Sequence, residues 1–298
     1  MKRLKVEHRT VYKYKRPVAF GEHRLMLRPR DSHDFRYVSG SLTLSPPGNV
    51  RWVHDVFGNS IAIVNFDESA AELRIESSVM VDHFVSEDGL PPFPISSYAR
   101  TLPFTYQPSE QPDLASSIKR HYLDPEHQVD LWVKECLNPS GPTDTQQFLF
   151  DLTREINKRF AYEVREQEGV QSPVETLNRG VGSCRDLALL MIEGLRSLGI
   201  AARFISGYIY DPSLDVGESG ETKGSGWPHA WVQVYLPGTG WMEFDPTNGI
   251  IGGANLIRVA VVRDPVQALP VTGTYTGTSD DFIELDVTVT VRAMNVTL

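Results

Sequence analysis

The sequence predicts an α+β protein: an N-terminal antiparallel β-sandwich over residues 1–88, a proline-rich linker over 89–112, and a second unit over 113–298 that mixes helices with strands. Three observations carry this expectation. Apolar and polar residues alternate with a period of two through the first 88 residues, with short turns and no helical pattern between the runs. Six prolines (91, 92, 94, 103, 108, 112) fall between Gly89 and Pro112, where they withdraw ladder donors and favour extended backbone. Beyond them the period becomes helical and capping boxes appear. A length of 298 residues accommodates two compact units, and 41% hydrophobic with 22% charged residues is an ordinary globular composition.

Element by element, Leu4, Val6, His8, Thr10, Tyr12 and Tyr14 alternate with Lys5, Glu7, Arg9, Val11, Lys13 and Lys15, as in a half-buried strand. The same signal recurs at 24–27, 38–44 and 51–56; Phe57-Gly58-Asn59-Ser60 then turns the chain into 61–66, and a long strand runs from Leu73 to Asp82. Thr143-Asp144-Thr145-Gln146 caps a helix that carries Phe148, Leu149, Leu152, Ile156 and Phe160. Ser172-Pro173-Val174-Glu175 opens a short helix that Gly180-Val181-Gly182 must end. From Cys184 to Leu198 the apolar positions 187, 190, 191, 195 and 198 give a third helix, stopped by Gly199, so Cys184 stands at a helix N-terminus. Residues 202–209 form a strand and 211–226 a loop. His229 to Leu236, a turn at 237–240 and Trp241 to Asp245 form a hairpin with His229 at its entrance and Asp245 at its exit. In an antiparallel hairpin those two ends are neighbours. Alternation at 256–262 and 282–291 is expected to close the sheet of the second unit.

Composition excludes several functions. The net charge of −9 offers phosphate backbones no attraction, so no nucleic-acid partner is expected. The first 60 residues are basic, with 12 Lys/Arg against 5 Asp/Glu, which solvated strand faces explain. Cys136 and Cys184 cannot build a disulfide framework and share no C-x-x-C spacing; Cys136, in a helical pattern, reads as a small buried apolar residue. Charges at Lys2, Arg3, Lys5, Glu7 and Arg9 interrupt any signal-peptide core, and no stretch reaches ~18 apolar residues, so a cytoplasmic protein with no membrane partner is expected. No cofactor and no metal is expected either. Asp211, Asp215, Glu218 and Glu221 lack the ligand order of a calcium loop and read as a solvated loop.

A cysteine is a good nucleophile only as thiolate, and a free thiol with a pKa of about 8.5 is mostly protonated at neutral pH. A helix N-terminus supplies donors and the positive dipole end, and a neighbouring histidine can hold the proton. Cys184 has the first by pattern, His229 can supply the second, and Asp245 can orient the imidazole through its other nitrogen. Asp186 reads as a first-turn acid facing the helix dipole, Gly182 as a backbone requirement, and Trp231 and Trp241 as core and cleft wall. A Cys/His/Asp metal site is the competing use of these residues, disfavoured because the three come from separate segments with no second cysteine nearby.

Four blocks carry a resemblance: Gly180-Val-Gly-Ser-Cys184-Arg-Asp-Leu-Ala, Leu195 to Tyr208, His229-Ala-Trp-Val-Gln-Val-Tyr, and Gly240-Trp-Met-Glu-Phe-Asp245-Pro-Thr-Asn248. The region 145–250 resembles the core of the transglutaminase-like superfamily. The first 88 residues, with Leu25-Met-Leu-Arg-Pro29 and Asp55-Val-Phe-Gly-Asn59, resemble the sandwich that precedes this core in bacterial members. The resemblance implies a papain-like α+β core whose catalytic Cys, His and Asp are Cys184, His229 and Asp245, and a peptide or protein amide as substrate partner. It implies a cysteine peptidase or amidase working through a thioester, with amine transfer, or a peptide-binding module without chemistry, as the alternatives. Tyr162, on a strand upstream of the nucleophile as the family's side-chain oxyanion donor is, either takes that role or hydrogen-bonds structurally.

Overall fold

The computed structural model describes residues 1–84, 94–165, 169–216 and 222–294. The N-terminal part is a sandwich of two antiparallel sheets. One runs in the order Phe35–Ser45, Ala70–His83, Lys2–Phe20, Phe282–Met294. The other runs Gly48–His54, Ser60–Phe66, His23–Leu25, Val271–Thr272. Tyr14, Val18, Phe20, Leu25, Ala62, Val64, Leu73 and Ile75 fill the space between them.

The expectation that 282–291 closes the second sheet is corrected. Phe282–Met294 pairs with Lys2–Phe20, in a register that runs from Arg3–Met294 to Tyr14–Phe282. A period of two records that a strand is half-buried, not which sheet buries it.

The second unit is built on a five-stranded antiparallel sheet in the order Ile250–Ile251, Gly240–Asp245, His229–Leu236, Ala202–Ile209, Leu256–Val262. Helices Gln128–Glu135, Thr145–Arg159 and Cys184–Ser197 pack with Phe204, Val232, Val234 and Phe244 of this sheet in one large core. The helix starts obey local chemistry. Asp144, one position later than the expected box, caps Thr145–Arg159 by accepting from Gln147 N at 2.8 Å. Ser172 caps Pro173–Arg179 by accepting from Glu175 N at 3.1 Å, and Gly180 ends that helix at φ 67°, where a side chain would be strained.

The two units share a core. Leu4, Val6, Phe35, Val79 and Val81 of the sandwich pack on Tyr208, Tyr210, Ile257 and Val259 of the second sheet. Leu256–Val262 is the sheet's edge strand, and a single side chain covers part of it: Asn59, fully buried, donates Nδ2 to Val261 O at 2.9 Å and accepts Val261 N at Oδ1, also at 2.9 Å. Asp55 fixes the turn behind it, accepting from Phe57 N, Asn59 N and Asn59 Nδ2 at 2.8–2.9 Å.

The stretch expected to be a linker is, from Pro94 onward, a packed strap; Pro91 and Pro92 lie outside the described residues. Ile95, Ala99 and Tyr106 are buried, and Thr101–Leu102 pairs with Thr143–Asp144. The Tyr106 hydroxyl accepts Ala201 N at 2.9 Å and donates to Tyr235 O at 3.0 Å. Proline density marks backbone that cannot join a sheet interior, but Ile95, Phe104 and Tyr106 between the prolines still bury their side chains. Among the described residues no helix is long and apolar enough to cross a membrane.

Candidate active site

Cys184 is the first residue of the buried helix Cys184–Ser197, and the residues around it fix that start. Ser183 is the extended N-cap residue, and the Asp186 carboxylate accepts from Ser183 N at 2.9 Å and Ser183 Oγ at 2.8 Å. Asp186, fully buried, also accepts from Gln171 N at 2.7 Å and from Arg165 Nη1 at 3.0 and 3.1 Å. It is therefore more than a first-turn acid: it ties the helix that Cys184 opens to the segment before it. A Cβ on Gly182 would stand 2.9 Å from Asp186 Cβ, so the backbone requirement expected there is a close approach to that carboxylate.

The hairpin brings its two ends together as expected. The register Val232–Phe244 sets His229 diagonally across from Asp245, and His229 Nε2 lies 2.8 Å from Asp245 Oδ2, with both side chains fully buried. Asp245 is held as an anion. Burial opposes its charge, but His229 and the donors Asn248 Nδ2 (2.8 Å) and Thr247 N (2.9 Å) outweigh burial and keep its pKa below the usual carboxylate range. Burial likewise opposes charge on His229; the Asp245 carboxylate, and then Cys184, outweigh it and raise the imidazole's pKa. The second ring nitrogen, Nδ1, is buried and makes no complete hydrogen bond, while Cys184 is near enough to act on the ring. That is a loose approach of a thiol to an imidazole. Trp231 stacks on the His229 ring at 5.9 Å and 24°, so it supports the imidazole rather than filling core alone.

Tyr162 joins the same group. Ala161–Tyr162 pairs in parallel with Val181–Gly182, two residues before Cys184. The phenol's pKa is pushed up to about 12 by burial and then by the neighbouring Cys184 and Asp245 charges. Trp241 is not part of the group; it stands at the far end of the hairpin, opposite Tyr235. Cys136 caps the end of the helix Gln128–Glu135 and is partly buried against the core.

Two residues at the site have roles the sequence reading missed. Asn248 donates Nδ2 to Asp245 Oδ2 and to Lys223 O (3.1 Å), and accepts Lys223 N (2.9 Å), so it ties the orienting carboxylate to the end of the 211–226 loop. One residue on, Gly224 lies against His229: at φ 89° it leaves no room for a side chain, and an ideal Cβ would stand 2.4 Å from Nδ1. The loop's acids are partly structural. Asp211 accepts from Ser213 N and Thr222 N, and Asp215 Oδ2 accepts from Ala293 N of the last strand; Glu218 and Glu221 lie outside the described residues. Among the described residues no cluster of three or more His, Cys, Asp or Glu could hold a metal ion.

Comparison with known proteins bears on the family and the fold. The family model of the bacterial transglutaminase-like N-terminal region matches residues 4–82, and that of the transglutaminase-like superfamily matches 135–246. The chain belongs to the transglutaminase-like superfamily. An uncharacterized protein of Mycobacterium tuberculosis (strain H37Rv) is 30% identical over 96% of this chain and 92% of its own. An uncharacterized protein of Mycobacterium leprae is 36% identical over 40% of this chain and 41% of its own. Among solved structures, a candidate cysteine protease from Cytophaga hutchinsonii superposes with a TM-score of 0.72 over 100% of this chain and 92% of its own, at 16% identity. The fold is thus the superfamily's papain-like α+β core behind an antiparallel sandwich.

Proposed function

We propose that this member of the superfamily is a cysteine peptidase or amidase in which Cys184 is the nucleophile, His229 the general base and acid, and Asp245 the residue that orients and charges the imidazole. The observation that carries this reading is the buried His229–Asp245 pair at 2.8 Å, set beside the first residue of a helix with Nδ1 left for the thiol. The substrate class is a peptide or protein amide, and no cofactor enters the reaction.

His229 takes the Cys184 proton, and the thiolate attacks the amide carbonyl. The oxyanion is met by the backbone N–H of Cys184 at the helix start and by the Tyr162 hydroxyl, which its raised pKa keeps protonated. Collapse breaks the C–N bond as His229 returns its proton to the leaving amine, and a thioester remains. Water, deprotonated by His229, attacks the thioester; the acid leaves and Cys184 is restored. Asp245 stays ionised throughout, as its donors dictate.

The step that divides hydrolase from transferase is the second attack. An amine in solution is mostly protonated near neutral pH, so it competes with water only where a site orients it in neutral form. The test is the ratio of acid to amide product, by mass spectrometry, from a glutamine- or peptide-derived acyl donor at increasing primary amine. Acid should dominate throughout, and Asp245→Asn should lower acylation by orders of magnitude with the fold intact. Saturable amide formation at low amine would replace the hydrolase reading with a transglutaminase one. Unchanged turnover of Asp245→Asn would remove Asp245 from the mechanism.

A further inference from the structure

A cleft of about 300 Å³ opens where three parts of the molecule meet: the sandwich turn carrying Phe57, the helix Gln111–Ile118, and the end of the second sheet remote from His229. Tyr235 on its wall is six residues along the strand from His229, which is about 20 Å at the rise of a β-strand. The cleft is therefore separate from the Cys184 site.

Its chemistry is unusual for a structural gap. The Arg203 guanidinium lies flat on Trp241, 3.8 Å from the ring centre, and gives Nε to Gln233 Oε1 at 2.9 Å. Its two Nη groups have no hydrogen-bond acceptor, and no carboxylate forms an ion pair with it, among the described residues. Burial and the nearby Arg30 and Arg258 push its pKa down to about 9, against the weaker pull of Glu243. Arg263 also lines the cleft, and its Nε is buried with no partner. A buried unpaired donor costs free energy, and an unpaired cation costs more. Arg263 supplies one such buried donor, and the partly exposed edge of Arg203 beside it is open to an acceptor from the cleft.

The acids nearby define what that partner is. Glu110 and Asp113 also line the cleft. Glu110 accepts from Tyr235 Oη at 2.8 Å, from Tyr98 Oη and from Gln107 N, and no cation pairs with it among the described residues; Asp113 is exposed. A doubly charged oxyanion would be repelled by these carboxylates, whereas a ligand with one acid and one ammonium group complements both signs. We propose that this cleft binds a small zwitterion, a free α-amino acid or dipeptide, with its carboxylate on Arg203 and Arg263 and its ammonium toward Glu110 and Asp113. A planar guanidinium fixed by stacking presents its free edge to a carboxylate in bidentate geometry. The cleft's size suits a ligand of that scale, and Phe57, Tyr235 and Trp241 supply an apolar wall for its side chain. Because Phe57 belongs to the sandwich, occupancy would bridge the two units.

The test is isothermal titration calorimetry of the full chain with free amino acids (glycine, leucine, phenylalanine, glutamate) and glycyl dipeptides, with propionate, ethylamine and inorganic phosphate alongside. At least one zwitterion should bind saturably, and Arg263→Gln and Arg203→Gln should each weaken it about tenfold or more. Asp113→Asn should weaken the zwitterion but not propionate, and the rate of Cys184 alkylation by iodoacetamide should be unchanged in all three. If stacking makes Arg203→Gln fail to fold, Arg263→Gln carries the test alone. Absence of saturable binding by any zwitterion, binding that Arg263→Gln leaves intact, or phosphate binding as tight as the zwitterion would overturn the proposal.

Discussion

Replacing Asn59 by alanine should destabilise this protein more than any other single truncation of a turn residue in the sandwich. The side chain makes four hydrogen bonds: to Val261 O and from Val261 N, both at 2.9 Å, to Asp55 Oδ2 at 2.8 Å, and from Arg30 Nη1 at 3.1 Å. Asp55 keeps the donors Phe57 N and Asn59 N, and Arg30 keeps Phe57 O, so those partners lose little. Val261 loses both backbone bonds on its open side while its residue is only 3% exposed. At roughly 1–3 kcal/mol for each unsatisfied buried group, two groups cost roughly 2–6 kcal/mol, a large part of the roughly 5–15 kcal/mol that holds a protein folded. Water reaching the strand edge brings the expectation to about 3 kcal/mol. Urea unfolding followed by tryptophan fluorescence measures it, as a lower midpoint with unchanged slope. Asn59→Asp should be no milder, because it turns the donor facing Val261 O into a second anion beside Asp55. A loss below about 1 kcal/mol would refute the account of Asn59 as the cover of that edge.

Three further outcomes are expected. Cys184 should be alkylated far faster than Cys136 at pH 7, because burial and then Glu155 and Glu135 push the Cys136 thiol up to about 11 and leave about one thiolate in ten thousand; peptide mass spectrometry reads both sites, and equal rates would count against an activated Cys184. Gly224→Ala should slow Cys184 alkylation about tenfold and lower the melting temperature, since its Cβ would meet His229 Nδ1 at 2.4 Å, φ 89° strains any side chain and the loop must move; unaltered reactivity would show that this contact does not position the imidazole. The His229–Asp245 pair should give a pH-dependent stability difference between the parent and His229→Gln. The raised His229 pKa contributes fully below its unfolded value of 6.5 and is lost as pH rises through the folded one; the lowered Asp245 pKa contributes above 3.8 and is lost as pH falls. The advantage of the parent is therefore greatest between those two values, and an advantage that instead grows above pH 6.5 in urea titrations would contradict the pairing.

The candidate site was legible because its signals are local. Cys184 opens an apolar period that Gly199 stops, and His229 and Asp245 close a hairpin whose turn, 237–240, is plain in the chain. What the sequence hid depends on distant partners. Nothing near Phe282–Met294 says that its neighbour is Lys2–Phe20, and nothing near Asn59 points to Val261. Asn248 had a weak local signal, an amide three residues after the orienting acid, but its second partner, Lys223, lies across the loop. The 94–112 stretch misled for a related reason: prolines report on backbone donors, whereas burial of Ile95 and Tyr106 depends on surfaces supplied by residues such as Ala201 and Tyr235.

The position of the last strand sets an order of events during synthesis. Tyr14 is paired with Phe282, so the long edge of Lys2–Phe20 emerges from the ribosome many residues before the strand that covers it. At about 5–20 residues per second, that interval is roughly a quarter of a minute to a minute. Throughout it the nascent sandwich presents an uncovered row of backbone donors and acceptors, the template on which a second nascent chain can pair. Chains stalled before residue 282 should therefore aggregate more readily than chains that have made Phe282–Met294.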